Sequence, residues 1–209
     1  MNKIITINRE FGSGGRELGK RLADALNVPC YDNEIIELIA KENGFDAEYV
    51  ANISEKSVEA AYPMTIGHRF AAPFLTMLDQ PIRVAVSQRK IIENFAKQGD
   101  CVIVGRAADA ILKEEFHPLN LFVYANMQSK VKRCMDRAPE GENLSAQEME
   151  KKIKQIDKAR AQHHEMYDDG KWGDKSCYDL CINTSGREIK YLVPAIAQYC
   201  MDWFNRSEG

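Results

Sequence analysis

Three glycines in four residues, Gly12-Ser13-Gly14-Gly15, separate a β-rich apolar run at residues 3–8 from a segment, Arg16 to Leu26, in which Leu18, Leu22, Ala25 and Leu26 recur at helical spacing. Strand, glycine loop and helix in that order restrict the chain to a sheet whose ligand lies beyond the carboxyl ends of the strands. Glycines let the backbone approach an anion closely. The free N–H groups and the dipole of the helix start then favour phosphate. A tight strand-to-helix turn would need fewer glycines, so the loop reads as a phosphate site.

The rest of the chain repeats the alternation. Residues 28–31, 101–104, 119–125 and 179–183 are further strand candidates, and 101–104 (Cys-Val-Ile-Val) has the unbroken apolar character of a strand buried on both faces. Asn33 caps a helix with Ile35, Ile36, Ile39 and Ala40 on its apolar side and Gly44 as its stop. Pro81 starts a long helix that runs to Gln98, and Met127 starts another that runs to Arg137. Ser145 with Glu148 forms a capping box for a long charged helix that ends at Asp168-Asp169-Gly170. Ser185 with Glu188 forms a second box, opening a C-terminal helix that Pro194 kinks or breaks. The expected architecture is α/β: a parallel five-stranded sheet with helices on both faces, in a single domain over residues 1–209. Two stretches, 33–98 and 138–170, do not fit the alternation and read as insertions over one edge of the sheet.

Charge narrows the ligand. With 28 basic and 31 acidic residues the formal net is −3, so the chain lacks the basic excess of a nucleic-acid binder and its anion site must be local. No apolar run reaches the ~20 residues that span a bilayer, and Met1-Asn2-Lys3 leads into the first strand without a signal peptide. A cytoplasmic protein without membrane partners is expected, with its six cysteines as reduced thiols. His163-His164 reads as lid surface, Trp172 and Tyr178 as packing anchors. The apolar and aromatic side chains of residues 45–80 permit a homodimer contact.

The loop matches neither standard phosphate pattern. Glu17 stands where the third glycine of Gly-x-Gly-x-x-Gly belongs. Anchored on the strand end, the Gly-x4-Gly-Lys-[Ser/Thr] pattern finds Gly15 in the place of its lysine and Arg16 in the place of its hydroxyl. Arg16 is then the candidate for the missing positive charge, and Ser13 the nearest hydroxyl for a magnesium ion. Arg106 follows the buried strand through Gly105, which puts a guanidinium at the same sheet edge, suited to a substrate phosphate. Lys130, Arg133 and Arg137 share one helix face, and Asp157, Arg160 and His164 share another. Both stripes flank the loop at Pro139–Asn143, and arginines so placed suit phosphoryl transfer by closing over the reacting group.

Several separated motifs resemble the cytidylate-kinase-like proteins. They are Thr6-Ile7-Asn8-Arg9-Glu10-Phe11-Gly12-Ser13-Gly14-Gly15-Arg16-Glu17, Val104-Gly105-Arg106, Asp157-Lys158-Ala159-Arg160, Trp172-Gly173-Asp174 and Tyr178 to Thr184. The resemblance implies a P-loop nucleoside monophosphate kinase fold, with 33–98 as the acceptor-binding insertion and 138–170 as the lid. By that resemblance Gly12, Ser13, Gly14, Gly15, Arg16 and Glu17 would hold the phosphates of ATP with Mg2+. Arg106 would hold the acceptor monophosphate, CMP in the family's namesakes. Asp157 and Arg160 would lie near the acceptor and Asp32 at its pocket's edge, while Arg133, Arg137 and Arg160 would clamp the transferred group. In this loop the chain has Gly15-Arg16-Glu17 and lacks the Gly-Lys-Ser/Thr of authentic cytidylate kinases, and it has Ala107 where they carry Asp. Two functions therefore stay open: an ATP-dependent kinase of a small acceptor, and a nucleotide-binding sensor or interaction module without kinase activity.

Overall fold

β1 (Ile4–Arg9) is buried along its whole length, which suits the middle of a sheet. The computed structural model describes residues 2–48, 50, 71–138 and 144–206, and it places β1 there. β2 (Cys30–Tyr31), β3 (Cys101–Val104), β4 (Leu119–Tyr124) and β5 (Leu180–Asn183) complete a five-stranded sheet of order β2-β3-β1-β4-β5. Every pairing is parallel; Ile4–Ile7 runs beside Cys101–Val104, and Ile5–Arg9 beside Leu119–Val123. The helices, labelled in chain order among the described residues, are α1 (Gly15–Leu26), α2 (Asn33–Asn43), α3 (Ala71–Gln98), α4 (Ala108–Phe116), α5 (Met127–Asp136), α6 (Ala146–Glu165) and α7 (Val193–Arg206).

The two-residue period of the strands divides the core between two faces. Ile5, Ile7, Val102 and Val104 pack with Leu18 and Leu22 of α1 and with Ile196 and Ala197 of α7. Ile4, Cys101 and Ile103 point the other way, against Ile35 and Ile39 of α2, Ile92 of α3 and Leu112 of α4. The chain leaves β1 toward β2 on one side, and later crosses from β3 over β1 to β4. The order thus reverses beside β1, and the carboxyl ends of β1, β3 and β4 border a crevice.

Local differences from expectation have identifiable causes. α3 begins at Ala71 and contains Pro81 in its interior. A proline deletes one helical hydrogen bond, and packing on α2 and α4 outweighs that loss. Asp32, not Asn33, is the residue that precedes α2, and its side chain makes no cap bond. The Ser145–Glu148 capping box forms as expected. The Ser185–Glu188 box does not: Ser185 Oγ donates to Asn183 Oδ1 and accepts from the backbone N–H of Asn126, and a 3-10 turn, Ile189–Tyr191, precedes α7. Pro194 falls in the first turn of α7, where its missing N–H costs nothing. Among the described residues no helix is long and apolar enough to cross a membrane. Of the residues in 45–80 that permit a dimer contact, Tyr62, Met64 and Phe70 lie outside the described residues, and Phe74, Leu75, Met77 and Leu78 are described by their backbone alone.

Candidate active site

β1 ends at Arg9, and the chain turns through Glu10 and Phe11 into the glycine loop. Gly14, at φ 87°, is the residue before α1, and no side chain caps that helix. Left-handed backbone there suits glycine, and the uncapped amides of the first turn face the crevice. Arg133 of α5 holds the loop from behind. Its Nη1 donates to the carbonyls of Gly12 (3.3 Å) and Ser13 (3.2 Å) and to Thr184 Oγ1 (3.1 Å), and its Nη2 to the carbonyls of Thr184 and Arg187. Asp157 of α6 accepts from the N–H of Phe11 (2.6 Å) and from Lys130 Nζ (2.9 Å), which also reaches Glu10 Oε2 (3.1 Å). Lys130 is thus a buried tie between loop, α5 and α6 rather than part of a solvated stripe. Burial works against its charge, but the Asp157 and Glu10 contacts outweigh burial and raise its pKa.

Two cavities open from this frame. The outer, about 470 Å³, lies over the loop and is lined by Gly12, Gly14, Gly15, Arg16, Glu17, Arg133, Arg137, Lys152, Arg160 and Arg9, among others. Arg16 Nε meets Asp32 Oδ2 at 2.5 Å, and Arg137 Nη2 meets Glu17 Oε2 at 2.5 Å. Burial pushes the Glu17 pKa up, but bonds from Arg137 and Arg21 outweigh it, and the net shift is downward. Ser13 is fully buried, donates its hydroxyl to the Glu10 carbonyl (2.7 Å), and does not line the cavity. A further cavity of about 460 Å³ adjoins the outer one between α5 and the turn at Gly186–Lys190, sharing Glu17, Arg133 and Arg137.

The inner cavity, about 20 Å³, has room for about one water. Asn8, Arg9, Arg106, Ala107, Arg160, His163, His164 and Trp172 enclose it. Arg106 is 5% exposed and lies with Gly105 and Ala107 in three successive left-handed residues (φ 74°, 60° and 51°). Such backbone in non-glycine residues costs of order 1–3 kcal/mol each and clusters at functional sites. The Arg106 carbonyl accepts from Gln88 Nε2 at 3.0 Å, so a buried amide of α3 fixes this turn. Arg106 is therefore no ordinary first-turn residue; α4 starts only at Ala108.

The histidine pair is buried, against the surface expected for it. α6 turns both rings inward, beyond the reach of a face-by-face reading of a mostly charged helix. His163 is pushed down to about 3 by burial, then by Arg106, His164 and Arg9, so its ring is neutral at ordinary pH. Burial opposes the charge of His164 too, but its 2.8 Å bond to Asp109 prevails and raises its pKa. Trp172 and Tyr178 pack on Phe122 as anchors.

Arg16, Glu17, Arg133, Arg137 and Arg160 thus converge on the outer cavity, and Arg106 and Arg160 on the inner. Asp32 and Asp157 line neither. The sequence reading assigned no role to Arg9, Lys152 or Asn8. For Arg9 a signal was present, an arginine closing the strand before the loop. The outer cavity's volume of about 470 Å³ and its mostly basic lining leave room for phosphate groups. For magnesium the fit is poorer: among the described residues no three or more His, Cys, Asp or Glu side chains group around a metal site. An ion arriving with a nucleotide would have to be held largely by phosphates and water.

Sheet order, glycine loop and crevice define a P-loop kinase fold. A shikimate kinase from Bacteroides thetaiotaomicron shares it, with a TM-score of 0.56 at 12% identity over 98% of this chain and 99% of that one. The chain belongs to the cytidylate kinase-like family, whose match spans residues 4–186. Cytidylate kinase from Methanothrix thermoacetophila is 25% identical over 182 residues, covering 87% of this chain and 88% of that protein. An uncharacterized protein from Eubacterium ventriosum has a structure similar at TM-score 0.67 and 27% identity, over 95% and 98% of the two chains.

Proposed function

We propose that the protein transfers the γ-phosphoryl group of ATP to a small phosphorylated acceptor, a nucleoside monophosphate such as CMP. The observation that carries this reading is the meeting of two arginine-lined cavities at the carboxyl ends of β1 and β3. The outer cavity takes the donor's phosphates on the amides of Gly12–Glu17, and the adjoining cavity by Gly186–Lys190 receives its nucleoside. Magnesium would accompany the donor, held by its phosphates and water, since Ser13, the loop's own hydroxyl, is buried away from the cavity. The inner cavity, too small in this structure for more than a water, takes the acceptor's phosphate on Arg106 once a shift of α6 enlarges it, with Arg160 beside it and Asp157 and Asp32 at the margins.

Phosphoryl transfer asks for positioning and countercharge more than for acid–base chemistry. Arg16, Arg133, Arg137 and Arg160 supply that charge. Arg16 and Arg137, exposed at their own ends, turn from their carboxylate partners to the phosphate when it arrives, and Asp32 keeps Arg9 Nη2 at 3.7 Å. Residues 138–170 act as the lid. α6 carries Met149 and Lys152 on the outer wall, His163 and His164 on the inner and Arg160 on both, so a shift of this helix reshapes both cavities together. A cytoplasmic setting, with ATP plentiful and thiols reduced, goes with this reading.

The test is a panel of nucleoside monophosphates, CMP first, and other small acceptors with Mg-ATP, following ADP release. Turnover with one acceptor supports the reading. Well-folded protein that releases no ADP with any acceptor counts against it. Tight nucleotide binding without turnover would instead favour a non-catalytic binder, the reading that the missing loop lysine supports.

A further inference from the structure

Gly15 is the first residue of α1 and is not among the left-handed glycines, so its backbone would accept any side chain. Space forbids one: an added Cβ would collide with Arg9 Cβ and lie 2.8 Å from Arg9 Cγ. In the Gly-x4-Gly-Lys-[Ser/Thr] pattern anchored on the strand end, Gly15 holds the lysine's place and Arg9 the first glycine's. The two departures occupy one volume. The stem of Arg9 fills the space from which a lysine at residue 15 would leave the backbone. Its guanidinium, in a residue 8% exposed, lies against Gly105, whose Cβ would come within 2.7 Å of Arg9 Cζ. Arg9 Nη2 is 3.7 Å from Asp32 Oδ1. Arg9 and Arg160 are the residues that line both cavities.

We propose that Arg9 takes the part of the absent loop lysine, binding the donor's β- and γ-phosphates and holding the transferred group where the two cavities meet. The proposal rests on the outer cavity being the donor site. In the step, an oxygen of the acceptor's phosphate attacks the γ-phosphorus. The bond from that phosphorus to the β–γ bridging oxygen breaks, and its electron pair leaves with ADP. Arg9 gives up no proton; its fixed charge offsets the charge gathering on the β-phosphate and the equatorial oxygens. Arg16, 62% exposed in its side chain and bridged to Asp32, is left with the outer edge of the site.

Calorimetric binding of ATP, ADP and AMP in magnesium buffer, with thermal melting alongside, tests this on wild type, Arg9→Met, Gly15→Lys and the double variant Arg9→Gly/Gly15→Lys. Wild type should prefer ATP and ADP to AMP. Arg9→Met should weaken ATP by about 10-fold or more, the loss expected of a charge-assisted contact, and leave AMP nearly unchanged. Gly15→Lys alone should melt lower because its stem collides with Arg9. The double variant should recover both melting temperature and preference for ATP, since the lysine then has the vacated space. Folded Arg9→Met with ATP affinity within about 2-fold of wild type overturns the role of Arg9 and leaves the donor site standing. If Arg9→Met does not fold, a folded double variant without ATP preference overturns it equally. A wild type indifferent to ATP and AMP overturns the donor-site reading, and the proposal with it.

Discussion

The outer and inner cavities are both built from arginines but hold them differently. In the outer one, Arg16 and Arg137 have side chains 62% and 60% exposed, and each closes on a carboxylate. In the inner one, Arg106 is 5% exposed, next to a neutral His163 and fixed on a strained turn. Exposed pairs exchange partners at little cost, whereas a buried guanidinium cannot leave without exposing uncompensated charge. The outer arginines are therefore suited to exchanging partners, the inner one to holding its charge in a fixed place.

If that contrast is right, Arg106→Met should have the largest effect. Losing two charge-assisted bonds of about 1.5–3 kcal/mol each predicts a fall of at least ~100-fold in kcat/KM for the acceptor, at near-wild-type ATP affinity. Equal loss of ATP binding would erase the distinction between the cavities. Arg16→Ala should cost less, under about 10-fold in kcat/KM for ATP, because its exposed side chain already has Asp32 as an alternative partner. A larger fall would move Arg16 into the lysine's role.

The histidines sharpen the comparison through pH. The folded pKa of His163 is depressed from 6.5 to about 3, so between those values the unfolded chain binds a proton that the folded one refuses. Stability should fall as pH drops through that window. His164 is raised, so its contribution is complete below 6.5 and is lost as pH climbs through its higher folded value. Melting temperature against pH should be flatter on the acid side in His163→Gln than in wild type; parallel curves would show that His163 is not held neutral. The smallest effect should come from Ala107→Gly. Glycine relieves left-handed strain at φ 51°, and urea unfolding should show a gain of up to about 1 kcal/mol. Lower stability there would mean that the turn carries no strain.

How much of this the sequence showed differs between the two cavities. The outer site was legible because its parts are contiguous: a strand, glycines and a helix start within residues 4–26. The five strands were legible as β-rich apolar runs, while the face each side chain takes, as in Ile4 against Ile5, came from the structure. The inner site was legible only at Arg106 and Arg160. His163 and His164 looked like surface because α6 is mostly charged, and their burial depends on α6 lying across the carboxyl ends of β1 and β3. Lys130 read as part of a basic stripe flanking the loop at Pro139–Asn143, because its partners, Glu10 and Asp157, are far from it in the chain.

By itself the sequence determined the local matters: which segments are strands and helices, that the sheet is parallel, and that a glycine loop joins β1 to a helix. These depend on side-chain period and on backbone freedom within a few residues. Only the tertiary structure decided the strand order and which arginines are buried. It also showed that the stem of Arg9 fills the space a side chain at residue 15 would need. Burial and competition for one volume are relations between segments distant in the chain, and no local pattern encodes them.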